Sequence, residues 1–376
     1  MKIMKKFHYK SGALLLITLL TASVTLSAEE VTKEFHKEYT PGPGTTLEIS
    51  NRYGDVAIAS WDKNQIVIDV KVTVELPSRE RAEKLISYID VQFTENENLI
   101  MARTVIDDKF SFSGWGGDSK KFRIDYNIKM PAGTTLTLSN RYGNTKINEL
   151  SGLVNLDIKY GNLTAGKLTR GNEKPWNSLK LAYGKGTIDE TGWMTVNIRY
   201  TGNLEIKKST ALLLDSKYSK LSLGETSSVV GESKYDNIRI GSIKNLDLDN
   251  GYSDVNIGSL ATKLRYEGSY GSFSIESIPA EFESIDVATR YMGVKLGIAD
   301  NASYELNGHV RYGGLKYNED NFKFNRRIIE NNSTEIAGVV GKEESDSNFV
   351  PFAYSPTLLF SHSPTLFIYL QFHLYK

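Results

Sequence analysis

A tyrosine recurs along most of this chain at an almost constant interval, each time inside the same short phrase. Tyr142, Tyr160, Tyr183, Tyr200, Tyr218, Tyr235, Tyr252, Tyr270, Tyr291 and Tyr312 are separated by 18, 23, 17, 18, 17, 17, 18, 21 and 21 residues. Glycine follows directly at Tyr142, Tyr160, Tyr183, Tyr270 and Tyr312. A unit this short cannot bury its own apolar face, so it must stack on copies of itself.

Aligned on tyrosine, the units share one rule. Apolar residues lie at minus four or minus six and again at plus three and plus five, as in Leu156, Ile158, Tyr160, Leu163 and Ala165. Leu246, Leu248, Tyr252, Val255 and Ile257 repeat it, as do Ile285, Val287, Tyr291, Val294 and Leu296. Spacing by two before the tyrosine predicts a strand with one face inward, and the tyrosine shares that inward parity. The step of three after it predicts a corner. Gly143-Asn144, Gly161-Asn162, Asp236-Asn237 and Ser253-Asp254 fill the break, and these residue types tolerate positive φ. The fold class expected is all-β: a single-chain β-solenoid of about 18-residue coils, with the ten tyrosines as a structural corner ladder. Ten coils at strand spacing would make a rod about 45 Å long. Propeller blades need about 40 residues and do not fit this period.

One phrase occurs early and alone. Gly44 to Gly54 reads GTTLEISNRYG and recurs as GTTLTLSNRYG from Gly133 to Gly143, with nine of eleven positions identical. First coils are therefore expected over residues 29–60, interrupted by an insert over 61–130, with the main array over 131–345. The insert has a different grammar. Ile66, Ile68, Val70, Val72, Val74 and Leu76 alternate as a long strand. Ser78 caps a helix with Ala82, Leu85, Ile86 and Ile89 as its apolar stripe. The loop Ser113-Gly114-Trp115-Gly116-Gly117-Asp118 is rich in glycine. This small strand-helix-strand insert is expected to cap the amino-terminal end of the stack, where open strand edges would recruit other chains. An independent ligand-binding module is the alternative. Residues 346–376 break the pattern: Ser-Pro-Thr-Leu occurs twice, from Ser355 and Ser363, and no acid follows Asp346. This atypical tail is expected to lie outside the repeat, as a product of a shifted frame, an irregular cap or a docking segment.

The amino terminus reads as a signal peptide over residues 1–28. Lys2, Lys5, Lys6 and Lys10 precede an apolar stretch from Ala13 to Leu20, and small residues lead to Ala28. Export is expected, to the periplasm, the cell surface or the medium, with no transmembrane segment in the mature chain. The whole chain has 45 basic and 45 acidic residues, so removing the four lysines leaves a net charge of −4. That balance argues against nucleic acid as the main partner. The chain has no cysteine, which excludes disulfides, thiolate metal sites and cysteine nucleophiles.

Candidate chemistry is sparse. Of five histidines, His8 lies in the signal, His362 and His373 in the tail, and only His36 and His309 in the body. No histidine-based zinc site or triad is expected. Asp254, Glu276 and Asp286 could converge across coils as a glycosidase needs, but no distinctive cluster stands out. Gly114 to Gly117 lacks the Gly-Lys-Ser/Thr ending of a phosphate loop. No catalytic, metal or cofactor site is expected. The tyrosines could instead form a sugar platform, against which their inward parity speaks.

The signal segment, the Asn-Arg-Tyr-Gly-Asp-Val phrase at residues 51–56, the insert and the Tyr-Gly-Asn series together resemble the putative adhesin family of exported bacterial proteins, common in Bacteroidota. The resemblance covers residues 30–345. It implies a β-solenoid at the cell envelope and supplies no catalytic residues. The function expected is a non-enzymatic envelope scaffold that binds glycans or surface proteins. A carboxylate-dependent polysaccharide lyase or hydrolase is one alternative, and an envelope-stress or signalling accessory another.

Overall fold

The computed structural model describes residues 29–108, 122–341, 357–359 and 367–374. The signal segment, the Ser113–Asp118 loop and most of the tail lie outside the described residues. What is described is all-β apart from one short helix.

The amino-terminal part comprises β1 (Glu29–Tyr39), β2 (Thr46–Arg52), β3 (Val56–Trp61), β4 (Ile66–Leu76), α1 (Arg79–Ile86), β5 (Ile89–Asn96), β6 (Leu99–Ile106) and β7 (Phe122–Pro131). The helix forms where Ser78, in extended conformation, accepts a hydrogen bond from the Arg81 backbone N–H. It buries Ala82, Leu85 and Ile86 of the stripe expected from sequence, but Ile89, the fourth residue, lies beyond the helix and opens β5.

Strand β2 has parallel neighbours on both sides: Leu47 faces Leu136 on one flank and Ile100 of β6 on the other. Likewise β3 lies between β7 and the strand at residues 145–150, with Ile58 level with Ile128 and Ile147. The early copy of the phrase is thus in register with the later one. The insert supplies the next layer out, through β6 and β7. Beyond it, β4 runs antiparallel to β7, β1 antiparallel to β4, and β5 antiparallel to β6. The first coils expected over 29–60 need correcting on this point. Glu29–Tyr39 belongs to the antiparallel layer, because its backbone pairs along its whole length with the long strand β4.

The repeats follow as β8 (Thr135–Arg141), β9 (Thr145–Leu150), β10 (Val154–Lys159), β11 (Leu163–Leu168), β12 (Asn177–Ala182), β13 (Lys185–Arg199), β14 (Asn203–Lys217), β15 (Lys220–Lys234), β16 (Asn237–Ile278), β17 (Ser284–Ile298) and β18 (Tyr304–Arg311). Each pairs in parallel with its equivalent one unit on, as far as β17. Leu138 lies beside Leu156, Leu156 beside Leu179, Leu179 beside Val196 and Val196 beside Leu214. After the corner, Ile147 lies beside Ala165 and Ala165 beside Ile188. These inward columns are buried and form one continuous core with the amino-terminal layers. Burial of such columns, rather than any single contact, holds unit to unit.

The carboxyl-terminal part contains β19 (Phe322–Glu330), β20 (Ser333–Val340), β21 (Thr357–Leu359) and β22 (Phe367–Leu374). The tail was expected outside the repeat, and the structure corrects this for residues 367–374. Strand β22 runs antiparallel between β17 and β18, with Leu370 paired to Val287 on one side and to Gly308 on the other. Leu370 is fully buried. Gly308 makes the space: a β-carbon there would come within 3.1 Å of both Leu370 Cδ2 and Ile336 Cγ1. The apolar, aromatic segment suits a strand with partners on both edges, but the choice of those partners lies in β17 and β18.

Candidate functional site

Every repeat tyrosine stands at a corner, between two strands or, for Tyr252, Tyr270 and Tyr291, within β16 and β17, and every one has a left-handed backbone. φ lies between 49° and 65° for Tyr53, Tyr142, Tyr160, Tyr183, Tyr200, Tyr218, Tyr235, Tyr252, Tyr270, Tyr291 and Tyr312. For a bulky residue this conformation costs on the order of 1–3 kcal/mol. Two features offset the cost. The tyrosine N–H donates to the next unit, as Tyr218 N–H to Lys234 O at 3.0 Å and Tyr235 N–H to Gly251 O at 2.9 Å. The rings also stack. From Tyr53 through Tyr291, consecutive rings are nearly parallel, with centroids 4.6–5.2 Å apart. Each interior ring has two such contacts, each contributing roughly 0.5–1.5 kcal/mol. Tyr312 stands off this row, because β22 runs between β17 and β18.

Two sequence expectations are corrected here. The rings do not point inward: Tyr160, Tyr183, Tyr200, Tyr218, Tyr235 and Tyr252 are 48–52% exposed. Positive φ belongs to the tyrosine itself, and among the residues after it Gly271 alone shares it, at 122°. The two errors have one cause. A left-handed residue swings its side chain out of the pleat, so alternation counted along the strand does not continue through it.

The residue after tyrosine solves a different problem, that of close approach. A β-carbon at Gly143 would lie 1.8 Å from Gly54 O, one at Gly161 would lie 1.8 Å from Gly143 O, and one at Gly184 would lie 1.9 Å from Gly161 O. In the following units a polar column replaces glycine. Ser219 Oγ accepts from Thr201 N–H, Asp236 Oδ1 from Ser219 N–H and Ser253 Oγ from Asp236 N–H. Asp236 is buried and also accepts from Ser233 Oγ at 2.8 Å and Lys234 N–H at 3.1 Å. Burial raises its pKa above the usual carboxylate value, and the hydrogen bonds only partly oppose this. Folded protein therefore holds this proton more tightly than unfolded chain. The contribution favours folding in acid, and it is lost as pH rises through the folded pKa. Asp236→Asn should remove this part of the pH dependence, measured by urea unfolding across the acid range. An unchanged pH profile would contradict it.

Outside the corner run two further columns. Beyond the glycines, Asp55, Asn144 and Asn162 form a hydrogen-bonded ladder: Asp55 accepts from Asn144 N–H, and Asn144 accepts from Asn162 N–H and Nδ2. On the other side, immediately before the tyrosines, stand Arg52, Arg141, Lys159, Arg199, Lys217 and Lys234, interrupted at Ala182, and after Gly251 and Ser269 come Arg290 and Arg311. Sequence reading missed this basic column, although the alignment on tyrosine contains it at a single position. Arg199 pairs with Asp215 on the next unit, and Lys159 lies 3.9 Å from Asp157.

The carboxylates considered for catalysis do not share a cleft. Asp254 accepts from Ser272 Oγ on the strand after the corner, Glu276 lies further along the strand of the next unit, and Asp286 lies before the corner in β17. His36 bridges Asp69 at 2.6 Å and Glu38 at 3.1 Å, which raises its pKa, chiefly through the bond to Asp69. His309 accepts from Arg311 Nε at 3.1 Å. Among the described residues no cluster of acids and histidines could hold a metal ion. An open depression of about 620 Å³ lies where Gly251 and Ser269 interrupt the basic column, lined by Asp249, Glu267, Ser269, Arg290, His309 and Arg311 among others. Arg265, nearby, contacts Asp247, Asp249 and Glu267 on the exposed face. Arg265→Gln is expected to change stability by less than about 1 kcal/mol, since solvent screens such pairs. A larger loss in urea unfolding would contradict that.

No family model matches the chain, and no curated protein matches it. Solved structures do. A putative cell adhesion protein from Clostridium sporogenes is 15% identical, over 56% of this chain and 99% of its own, at a TM-score of 0.29. A putative adhesin from Parabacteroides distasonis is 10% identical, over 71% and 93%, at 0.27. A putative lipid binding protein from the same species is 11% identical, over 68% and 92%, at 0.29. One of these bears the adhesin name of the family that the sequence resembles, and another is named for cell adhesion. At such TM-scores the likeness is too slight to place a function on this chain.

Proposed function

We propose that this chain is an exported cell-envelope scaffold with an adhesin-like binding role and no catalysis of its own. Its repeat units stack as a β-solenoid from β8 as far as β17, and the 61–130 insert caps the amino-terminal end. The repeat tyrosines from Tyr142 to Tyr291 act as the corner ladder that holds each unit to the next, and Tyr312 keeps the corner without the stack. One observation carries the reading: a row of stacked, half-exposed rings passes unbroken from Tyr53 to Tyr291, with charged columns beside it. Such a surface repeats one set of groups at strand spacing and so matches an extended, repetitive ligand better than a single small substrate. Among the described residues no helix is long and apolar enough to cross a membrane. The candidate ligands are glycans or other surface proteins.

The test is binding of the purified chain to glycan arrays and to isolated envelope material, with fractionation of the producing cells. Retention on either, with the chain in the exported fraction, is the expected result. Failure to bind both, or turnover of a polysaccharide abolished by one Asp or Glu substitution, would overturn the reading.

A further inference from the structure

The column before the tyrosines narrows the ligand. Arg52, Arg141, Lys159, Arg199, Lys217 and Lys234 each stand one residue before a ladder tyrosine. Parallel pairing sets neighbouring units side by side: Arg52 faces Arg141, Arg141 faces Lys159, Arg199 faces Lys217, and Lys217 faces Lys234. Like charges so placed repel one another. Two of the six are relieved by acids, Arg199 by Asp215 and Lys159 by Asp157. Arg52, Arg141, Lys217 and Lys234 have no ion pair among the described residues. A chain whose net charge is acidic after removal of its first 28 residues thus keeps a basic row along one side of its aromatic row, with four of the six cations outside any ion pair among the described residues. From Tyr53 to Tyr235 the two rows run side by side for about 30 Å at strand spacing, the basic row interrupted once, at Ala182.

We infer that this double row is a binding track for an acidic polysaccharide, deepening the scaffold reading on which it rests. The cations meet carboxylate or sulfate groups, and the ring edges and phenol hydroxyls meet the sugar hydroxyls. The stacking geometry selects against single-stranded nucleic acid. Base stacking needs an open ring face, and here each interior face is covered by the neighbouring ring at 4.6–5.2 Å. For the same reason the rings are not a platform for the flat face of a neutral pyranose. What remains exposed is a line of edges, polar hydroxyls and positive charge.

The test measures binding of the full chain to polygalacturonate, heparin, dextran and an oligothymidylate. Polygalacturonate and heparin should bind, more weakly as salt is raised, and dextran should not. Replacing Arg52, Arg141, Lys217 and Lys234 together by glutamine should weaken binding at least tenfold. The same change at Lys146, Lys167, Lys208 and Lys244, exposed on strands after the corner or just beyond them, should cost less than threefold. Unfolding midpoints of both variants show whether the fold is intact. Equal losses in the two variants, absence of polyanion binding, or tighter binding of the oligothymidylate would overturn the inference. Binding of neutral glycans unaffected by the first variant would overturn it and leave the scaffold reading standing. Failure of every glycan and all envelope material to bind would remove both.

Discussion

Gly161→Ala should destabilise the protein by about 3 kcal/mol, although it adds one methyl group at a position with ordinary φ. The added carbon would lie 1.8 Å from Gly143 O and 2.7 Å from the carbonyl carbon. Both atoms are backbone, so no side chain can turn aside. Relief requires the two units to move apart locally, at the point where Tyr142 N–H bonds Lys159 O and Thr145 N–H bonds Asn162 O. Overpacking of a side-chain core usually costs about 1–3 kcal/mol, and the backbone obstacle places this substitution at or above the upper end. Urea unfolding of the variant and the parent checks it. A loss below about 1 kcal/mol would mean that the units are not stacked as described. Gly161→Ser should not rescue the fold, even though Ser219 and Ser253 occupy the equivalent position further along. There the neighbouring unit carries a polar side chain whose hydrogen bond spaces the two backbones.

Tyr235→Ala should cost about 2–3 kcal/mol, and Tyr235→Gly should cost less. The ring of Tyr235 stacks on Tyr218 at 4.8 Å and on Tyr252 at 4.9 Å, and both substitutions remove both contacts. Alanine keeps a β-carbon at a φ of 58° and so keeps the backbone strain. Glycine relieves the strain, with a gain of about 1 kcal/mol over alanine at this conformation. On ordinary strand positions the order is the reverse, since glycine is the worse strand former. Unfolding of the two variants side by side decides it. Alanine at least as stable as glycine would show that the left-handed corner is not what the tyrosine maintains.

Much of this was legible in the residues, for a physical reason. A stacked repeat places equivalent residues side by side, so the alignment of Leu138, Leu156, Leu179 and Val196 on paper is also their register in space. The distant phrase at Gly44 was readable for the same reason: two copies of one sequence make equivalent neighbours, and Leu47 lies level with Leu136. The orientation of the tyrosines was not legible. Periodicity of two holds only while the backbone stays extended, and Tyr142 and its equivalents leave that region. The placement of Phe367–Leu374 was equally hidden. Its apolar pattern indicates a strand, but the slot it fills depends on β17 and β18 staying apart, and nothing in the repeat phrase encodes that. The basic column was legible and overlooked, since net charge over the whole chain conceals a local row.

The central claim is that each repeat tyrosine holds a left-handed corner and that those from Tyr53 to Tyr291 stack on their neighbours. Nuclear magnetic resonance of the protein labelled selectively at tyrosine tests both parts at once. The account predicts left-handed Cα and Cβ shifts at Tyr200, Tyr218 and Tyr235, within a chain whose other strand residues show extended shifts. It also predicts ring-to-ring Overhauser contacts between Tyr218 and Tyr235. Extended shifts at these tyrosines, without ring-to-ring contacts, would contradict it.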